Sequence, residues 1–277
     1  MARDRWKPVE RELRRTVGPL IAGVDEVGRG PLAGPVVACA VIMPPDVRAI
    51  AGVDDSKRLS SDQRARLAVK IRERALSIGI GAASVREIDR VNIYQATVVA
   101  MRRALSRLTM VPHHVLVDGK PFRTLDTPHT AIVGGDDLCY TIACASIIAK
   151  VTRDRIMRAL AGRHPNYLWE RNVGYCTAAH LKGLAAHGVT PHHRRSFIPV
   201  RQLTLDFDLT DPGGEIDVEA LANLPPGGRP ADDFDAAFQG DDRPSTSVPA
   251  GDEGYPKPSW EALADSRIDL PAHPDNV

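Results

Sequence analysis

Two adjacent carboxylates, Asp25 and Glu26, close an apolar run and are followed at once by the turn Gly28-Arg29-Gly30. Carboxylates seek a cation and an arginine seeks a phosphate, and a nuclease joins the two by holding divalent ions against a nucleic-acid backbone. In a strand the two acids point to opposite faces, so both serve one site only where the strand ends and the chain bends. The glycines supply that bend and let backbone come close to a ligand. Two more acids are candidates. Asp118 precedes Gly119, and Asp154 lies four and eight residues after Lys150 and Ser146, sharing a helix face with both. Each also has a plain structural reading, Asp118 as a turn residue and Asp154 as a surface acid among Arg153, Arg155 and Arg158.

Strand ends and one helix must position these side chains. Residues 20–25 and 36–43 are apolar and β-branched, with a Gly/Pro-bearing connection between them, and read as two strands. Capping residues open a helix over 60–74, residues 78–84 return to strand character, and 92–108 has the period of a second helix. Residues 114–118 form a short buried strand ended by Asp118-Gly119, and 130–133 another. A long helix spans 137–160, apolar nearly all round in its first half and therefore buried. The mixture predicts an α/β fold on one sheet, with Asp25, Glu26 and Asp118 at carboxyl ends of strands, where such sheets place their sites.

The 277 residues, 43% hydrophobic and 26% charged, suffice for one large globular domain or two small ones. The formal charge of +1 conceals an asymmetry. Residues 203–277 hold 17 acidic and 4 basic side chains, leaving 32 basic and 18 acidic ones in the first 202. A body that basic suits a polyphosphate partner. The Pro/Gly/acid-rich tail cannot bury a core and is expected to be disordered, with weak helix potential over 259–264. Its partner is not readable from the sequence. Cys39, Cys139, Cys144 and Cys176 form neither a C-x-x-C pair nor a secreted framework and read as reduced thiols. With no apolar leader and no membrane-length apolar stretch, a cytoplasmic monomer without membrane contact is expected.

Five blocks, in order, resemble the ribonuclease HII family: residues 23–37 around Asp25-Glu26-Val27-Gly28-Arg29-Gly30, Asp55-Ser56-Lys57, Asp118-Gly119, residues 145–154 from Ala145-Ser146 through Lys150 to Asp154, and His193-Arg194-Arg195-Ser196-Phe197. The resemblance runs from about residue 18 to 200, so residues 1–17 read as an N-terminal extension, 18–202 as the catalytic domain and 203–277 as the tail. It implies a ribonuclease-H-like mixed sheet with helices on both faces, a helical C-terminal part, and four metal-binding carboxylates matching Asp25, Glu26, Asp118 and Asp154. Two divalent ions need bridging and terminal carboxylates, and an all-oxygen site suits Mg²⁺, with Mn²⁺ as substitute.

The implied reaction is hydrolysis of RNA in RNA/DNA hybrids and incision 5′ of single ribonucleotides in duplex DNA, leaving 5′-phosphate and 3′-hydroxyl ends. By the same resemblance Gly28, Arg29 and Gly30 contact the ribose 2′-hydroxyl, and Tyr175 packs on the following sugar to sense an RNA-to-DNA junction. Lys57, Lys150, Arg194 and Arg195 are the basic residues placed against substrate phosphates, and Ser146 is a further substrate-binding candidate. The sequence departs from the family pattern at Cys176, where glycine or proline is common, and at Tyr167-Leu168-Trp169, both in loops.

Other readings are weaker. Cys176, His180, His187, His192 and His193 lack the paired short spacings of a zinc module and read as chance clustering. Pro31 and the two preceding acids argue against a dinucleotide fingerprint at Gly28-x-Gly30. A non-catalytic binding module of the same fold would need one of the four acids replaced. Ribonuclease HIII carries an added N-terminal domain, whereas about 17 residues precede the first strand here.

Overall fold

The computed structural model describes residue 6 and residues 8–204, apart from residue 46. Its centre is a five-stranded sheet in the order β3-β2-β1-β4-β5, formed by β1 (Ile21–Val27), β2 (Val36–Ile42), β3 (Ser77–Ala83), β4 (His114–Asp118) and β5 (His129–Ile132). The first three strands form an antiparallel meander, and β1, β4 and β5 are parallel. The mixed sheet agrees with the sequence expectation. All seven residues of β2 are buried, because helices cover both faces of the sheet. One face packs against α3 (Val85–Ser106) through Val24, Ala38, Ala40 and Met101. The other packs against α2 (Ser61–Arg74) and α5 (Tyr140–Arg163) through Cys39, Val41, Ile71, Ile147 and Ile148.

Local signals account for the helix starts. Ser60 with Gln63, and Ser84 with Glu87, form reciprocal capping boxes at α2 and α3. The second of these starts α3 seven residues before the expected position 92. Asn92 sits inside α3 at φ 70°, and its Oδ1 accepts the Gln95 N–H at 3.1 Å, so a kink carries a cap of its own. The expected helix over 137–160 is likewise divided: α4 (Gly135–Leu138) ends at Cys139, whose extended backbone turns the chain before α5 begins.

The segment expected to lie ahead of the domain is built into it. Helix α1 (Pro8–Thr16) buries Leu13, and Glu10 Oε1 accepts the Thr141 N–H at 2.7 Å and its hydroxyl at 2.9 Å, capping the start of α5. After α5 come α6 (Trp169–Asn172), α7 (Ala178–His187) and α8 (Ile198–Thr204), the helical C-terminal part. The tail expected to be disordered lies outside the described residues.

Candidate active site

The site forms where β1 and β4 end side by side. Val24 pairs with Val117, which sets Asp25 and Asp118 level one position further on. Gly23 lets α5 cross β1 closely, since a Cβ there would stand 2.3 Å from the Thr141 carbonyl carbon. Asp25, two residues on and facing the same way, therefore meets α5. Its carboxylate accepts a hydrogen bond from Ser146, whose Oγ lies 2.9 Å from that of Ser56, and it also accepts the Glu26 N–H at 2.7 Å. Asp118 Oδ1 accepts the Gly135 N–H at 2.7 Å. That bond fixes the start of α4 and brings Asp136 into the electrostatic reach of Asp118.

The acids repel one another in a buried place. Burial raises the Asp25 carboxyl well above the ordinary carboxylate range, and the charges of Glu26 and Asp118 raise it further. Glu26 is raised by burial, against the lowering pull of Arg29. Asp136 is raised by burial and then by Asp118, with Lys57 opposing. Two cations lean on the group: Arg29 Nη1 lies 3.2 Å from Glu26 Oε1, and Lys57 Nζ 3.5 Å from Asp136 Oδ2.

Glu26 Oε2 is buried with no hydrogen-bond partner. An oxygen left so costs about 1–3 kcal/mol until something reaches it. An all-oxygen, mutually repelling donor set with one orphaned oxygen fits a hard divalent cation. Among the described residues no three Asp, Glu, His or Cys side chains are already gathered closely enough to hold a metal ion.

Asp154 stands apart from these acids, contrary to the sequence expectation. Its Oδ1 accepts from Lys150 Nζ at 2.6 Å and its Oδ2 lies 3.7 Å from Arg64 Nη2. At eight residues beyond Ser146 it is displaced by about 12 Å along α5. Arg64 Nη1 donates to the carbonyls of Ser56 at 2.9 Å and Leu59 at 2.5 Å, so Asp154 steadies the loop that carries Lys57. Lys150 is its ion-pair partner, whereas Lys57, with a side chain 78% exposed, is open to solvent. Asp136, which the sequence reading did not single out, is the acid the structure sets beside Asp118, and its signal was the Gly134-Gly135-Asp136 run just ahead of the buried helix.

Arg194 is also placed differently from expectation. It is fully buried and unable to touch a phosphate. Nε and Nη2 donate to Gly34 O at 2.9 and 2.8 Å, Nη1 to Arg29 O at 2.9 Å, and Nη2 to Gly28 O. Arg153, fully buried as well, donates to the carbonyls of Ala33, Pro35 and Val173. A Cβ on Gly28, at φ +92°, would stand 2.1 Å from Arg153 Nε, so only glycine fits there. Arg29 and Gly30 are exposed, and a Cβ on Gly30 would stand 3.9 Å from Tyr175 Cε1, so the turn and the half-exposed tyrosine face one another. The Arg195 and Ser196 amides donate to Asp89, and the Arg195 side chain is exposed.

The histidines converge by packing. His180 Nε2 lies 3.0 Å from both His193 Nε2 and Trp169 Nε1, and Tyr167 stacks on Trp169. His180 Nδ1 lies 2.9 Å from the Tyr175 carbonyl, tying this aromatic set to the site, while Cys176 is exposed. The buried His180 and His193 imidazoles are occupied by one another and by backbone and form a packed core, whereas His187 is exposed.

A sequence profile of the family described as Ribonuclease HII matches residues 22–200. The chain belongs to the ribonuclease HII family. It is 57% identical to the ribonuclease HII of Gluconobacter oxydans over 190 residues, covering 67% of this chain and 91% of that one. It is 53% identical to that of Granulibacter bethesdensis over 205 residues, covering 73% and 94%. Among solved structures, the ribonuclease H2 of Pyrococcus horikoshii superposes with a TM-score of 0.57 at 26% identity over 68% of this chain and 98% of that one. As a ribonuclease HII, the chain is a metal-dependent endoribonuclease that hydrolyses RNA in RNA/DNA hybrids. No helix among the described residues is long and apolar enough to cross a membrane.

Proposed function

We propose that this ribonuclease HII incises duplex DNA on the 5′ side of a single embedded ribonucleotide, besides cutting RNA in longer hybrids. Asp25, Glu26, Asp118 and Asp136 would hold two divalent ions, Mg²⁺ or Mn²⁺. The observation that carries this reading is the buried, unpartnered Glu26 Oε2 within a group of mutually repelling acids. Bst ribonuclease HIII, known in complex with Mn²⁺, supports Mn²⁺ as the alternative. When bound, the ions would lower the pKa of the attacking water and neutralise charge on the departing 3′-oxygen.

The chain's own residues orient the rest. Ser146 and the Glu26 amide hold the Asp25 carboxylate in one rotamer. Arg29 and Lys57, released from Glu26 and Asp136 as cations take their place, become free for substrate phosphates. The Gly28–Gly30 backbone meets the ribose 2′-hydroxyl, which DNA lacks, and the facing Tyr175 ring packs on the next sugar. Hydrolysis leaves a 5′-phosphate and a 3′-hydroxyl. The test is cleavage of both substrate types with chelator, Mg²⁺ or Mn²⁺. Metal-dependent cutting of the single-ribonucleotide duplex is expected; cutting of the hybrid alone would remove the single-ribonucleotide part of the reading.

A further inference from the structure

The inward side of the Gly28–Pro35 loop consists of carbonyl oxygens aimed at buried guanidinium groups. Arg194 takes those of Gly28, Arg29 and Gly34, and Arg153 those of Ala33, Pro35 and Val173. Neither arginine has a carboxylate within ion-pair distance among the described residues; backbone carbonyls take their hydrogen bonds, and the charges of Asp154 near Arg153 and Asp89 near Arg194 act only from further off. A guanidinium presents a planar fork of five donors spread over three nitrogens, whereas a lysine offers its three donors from a single point, so the fork suits carbonyls that are set apart along a loop.

The direction of these carbonyls has a consequence on the far side of the loop. All peptide bonds among the described residues are trans, so each N–H points opposite to the C=O of its own peptide unit. With the Gly28 and Arg29 carbonyls turned inward onto Arg194, the N–H groups of Arg29 and Gly30 are turned outward, at two exposed residues opposite Tyr175. Consecutive outward N–H groups make a small site for an electron-rich oxygen, and a buried cation behind them strengthens it.

We propose that Arg194 is a specificity-determining positioning residue, which fixes the Arg29 and Gly30 N–H groups toward the ribose 2′-hydroxyl by holding the preceding carbonyls inward. The proposal rests on the reading that this turn recognises the 2′-hydroxyl. Arg194 touches no substrate. It is buried at the base of the loop and acts through the backbone. Lysine in its place keeps a charge but loses the fork, so the two carbonyls would no longer be held together. Arg153 offers the matching control, because it is equally buried and also donates three backbone hydrogen bonds, yet takes neither the Gly28 nor the Arg29 carbonyl.

The experiment measures binding in an Asp118→Asn background, where turnover is removed, to a DNA duplex with one ribonucleotide and to the same duplex entirely of DNA. Each protein is measured well below its own melting midpoint. The parent is expected to prefer the ribonucleotide duplex. Adding Arg194→Lys should shrink that preference about tenfold with little change in affinity for DNA, while adding Arg153→Lys should leave the preference within about twofold. Arg194→Gln, which keeps part of the donor set, should fall between parent and Arg194→Lys, and it serves as the reading if the lysine variant does not fold. A preference unchanged in the Arg194 variants, or lost equally in the Arg153 variant, overturns the proposal alone. A parent with no preference overturns the 2′-hydroxyl reading of the turn and this proposal with it.

Discussion

Replacing Asp154 and Asp136 one at a time by asparagine separates scaffold from chemistry. Asp154→Asn keeps the shape but removes the charge that meets Lys150 at 2.6 Å and Arg64 at 3.7 Å. Breaking a fully buried pair costs about 3–5 kcal/mol, and a hydrogen bond to a charged group contributes about 1.5–3. Lys150 and Arg64 remain 18% and 14% exposed, which lets water screen what is left and places the loss at about 2 kcal/mol. In a domain of this size that is a fall in melting midpoint of about 6 °C. Turnover should stay within about threefold, because Arg64 still holds the carbonyls of Ser56 and Leu59. Asp136→Asn should do the reverse. It removes one of several repelling charges, so the metal-free midpoint is unchanged or higher, while kcat falls at least about 10³-fold, the equivalent of some 4 kcal/mol of charge stabilisation. Steady-state cleavage of an RNA/DNA hybrid and thermal melting in chelator read both quantities. A collapse of kcat in Asp154→Asn, or normal kcat in Asp136→Asn, would refute the assignment of the fourth carboxylate.

Further outcomes follow from the same geometry. Tyr175→Ala should lower kcat/KM on a single-ribonucleotide duplex about tenfold or more and on a long hybrid by less than about threefold; equal losses would argue against junction sensing. Adding Mg²⁺ at about 100 times its Kd should stabilise the protein by about 2.7 kcal/mol, and Asp25→Asn should remove most of that gain; a midpoint indifferent to Mg²⁺ would contradict a built cation site. Burial and the neighbouring His164 and Arg163 push His192 down to about 4, and burial and three histidines push His193 lower still. Both are neutral when folded, whereas the unfolded chain protonates them below about pH 6.5. Stability therefore falls as pH drops from about 6.5 toward 4, by roughly 3 kcal/mol for His192 alone, and His192→Gln should flatten the slope of melting midpoint against pH. A variant slope as steep as the parent's would refute that origin.

The parts of the site legible in the sequence were those whose neighbours in space are also neighbours in the chain. Asp25 and Glu26 announced a strand end because Gly28 and Gly30 follow directly, and apolar β-branched runs marked β1, β2 and β4. Asp118 was legible because Asp-Gly closes a short apolar run. Asp136 was not, because its place beside Asp118 goes with the Gly135–Asp118 hydrogen bond, a tertiary contact with no local signature. Asp154 drew attention by sharing a helix face with Ser146, but period gives direction around a helix and not distance along it. Arg194 was assigned to phosphate for a related reason. A basic side chain suggests an acidic partner, while backbone carbonyls, which every residue carries, leave no mark in composition.

The central claim is that one cleft joins metal-dependent hydrolysis to recognition of a single 2′-hydroxyl. It is tested most directly by mapping the products from an end-labelled DNA duplex containing one ribonucleotide, incubated with Mg²⁺. The predicted result is one cut, with the ribonucleotide at the 5′-phosphorylated end of the downstream fragment and an upstream 3′-hydroxyl that a polymerase extends. A cut on the 3′ side of the ribonucleotide, a 2′,3′-cyclic phosphate end, or cleavage that persists in chelator would contradict it.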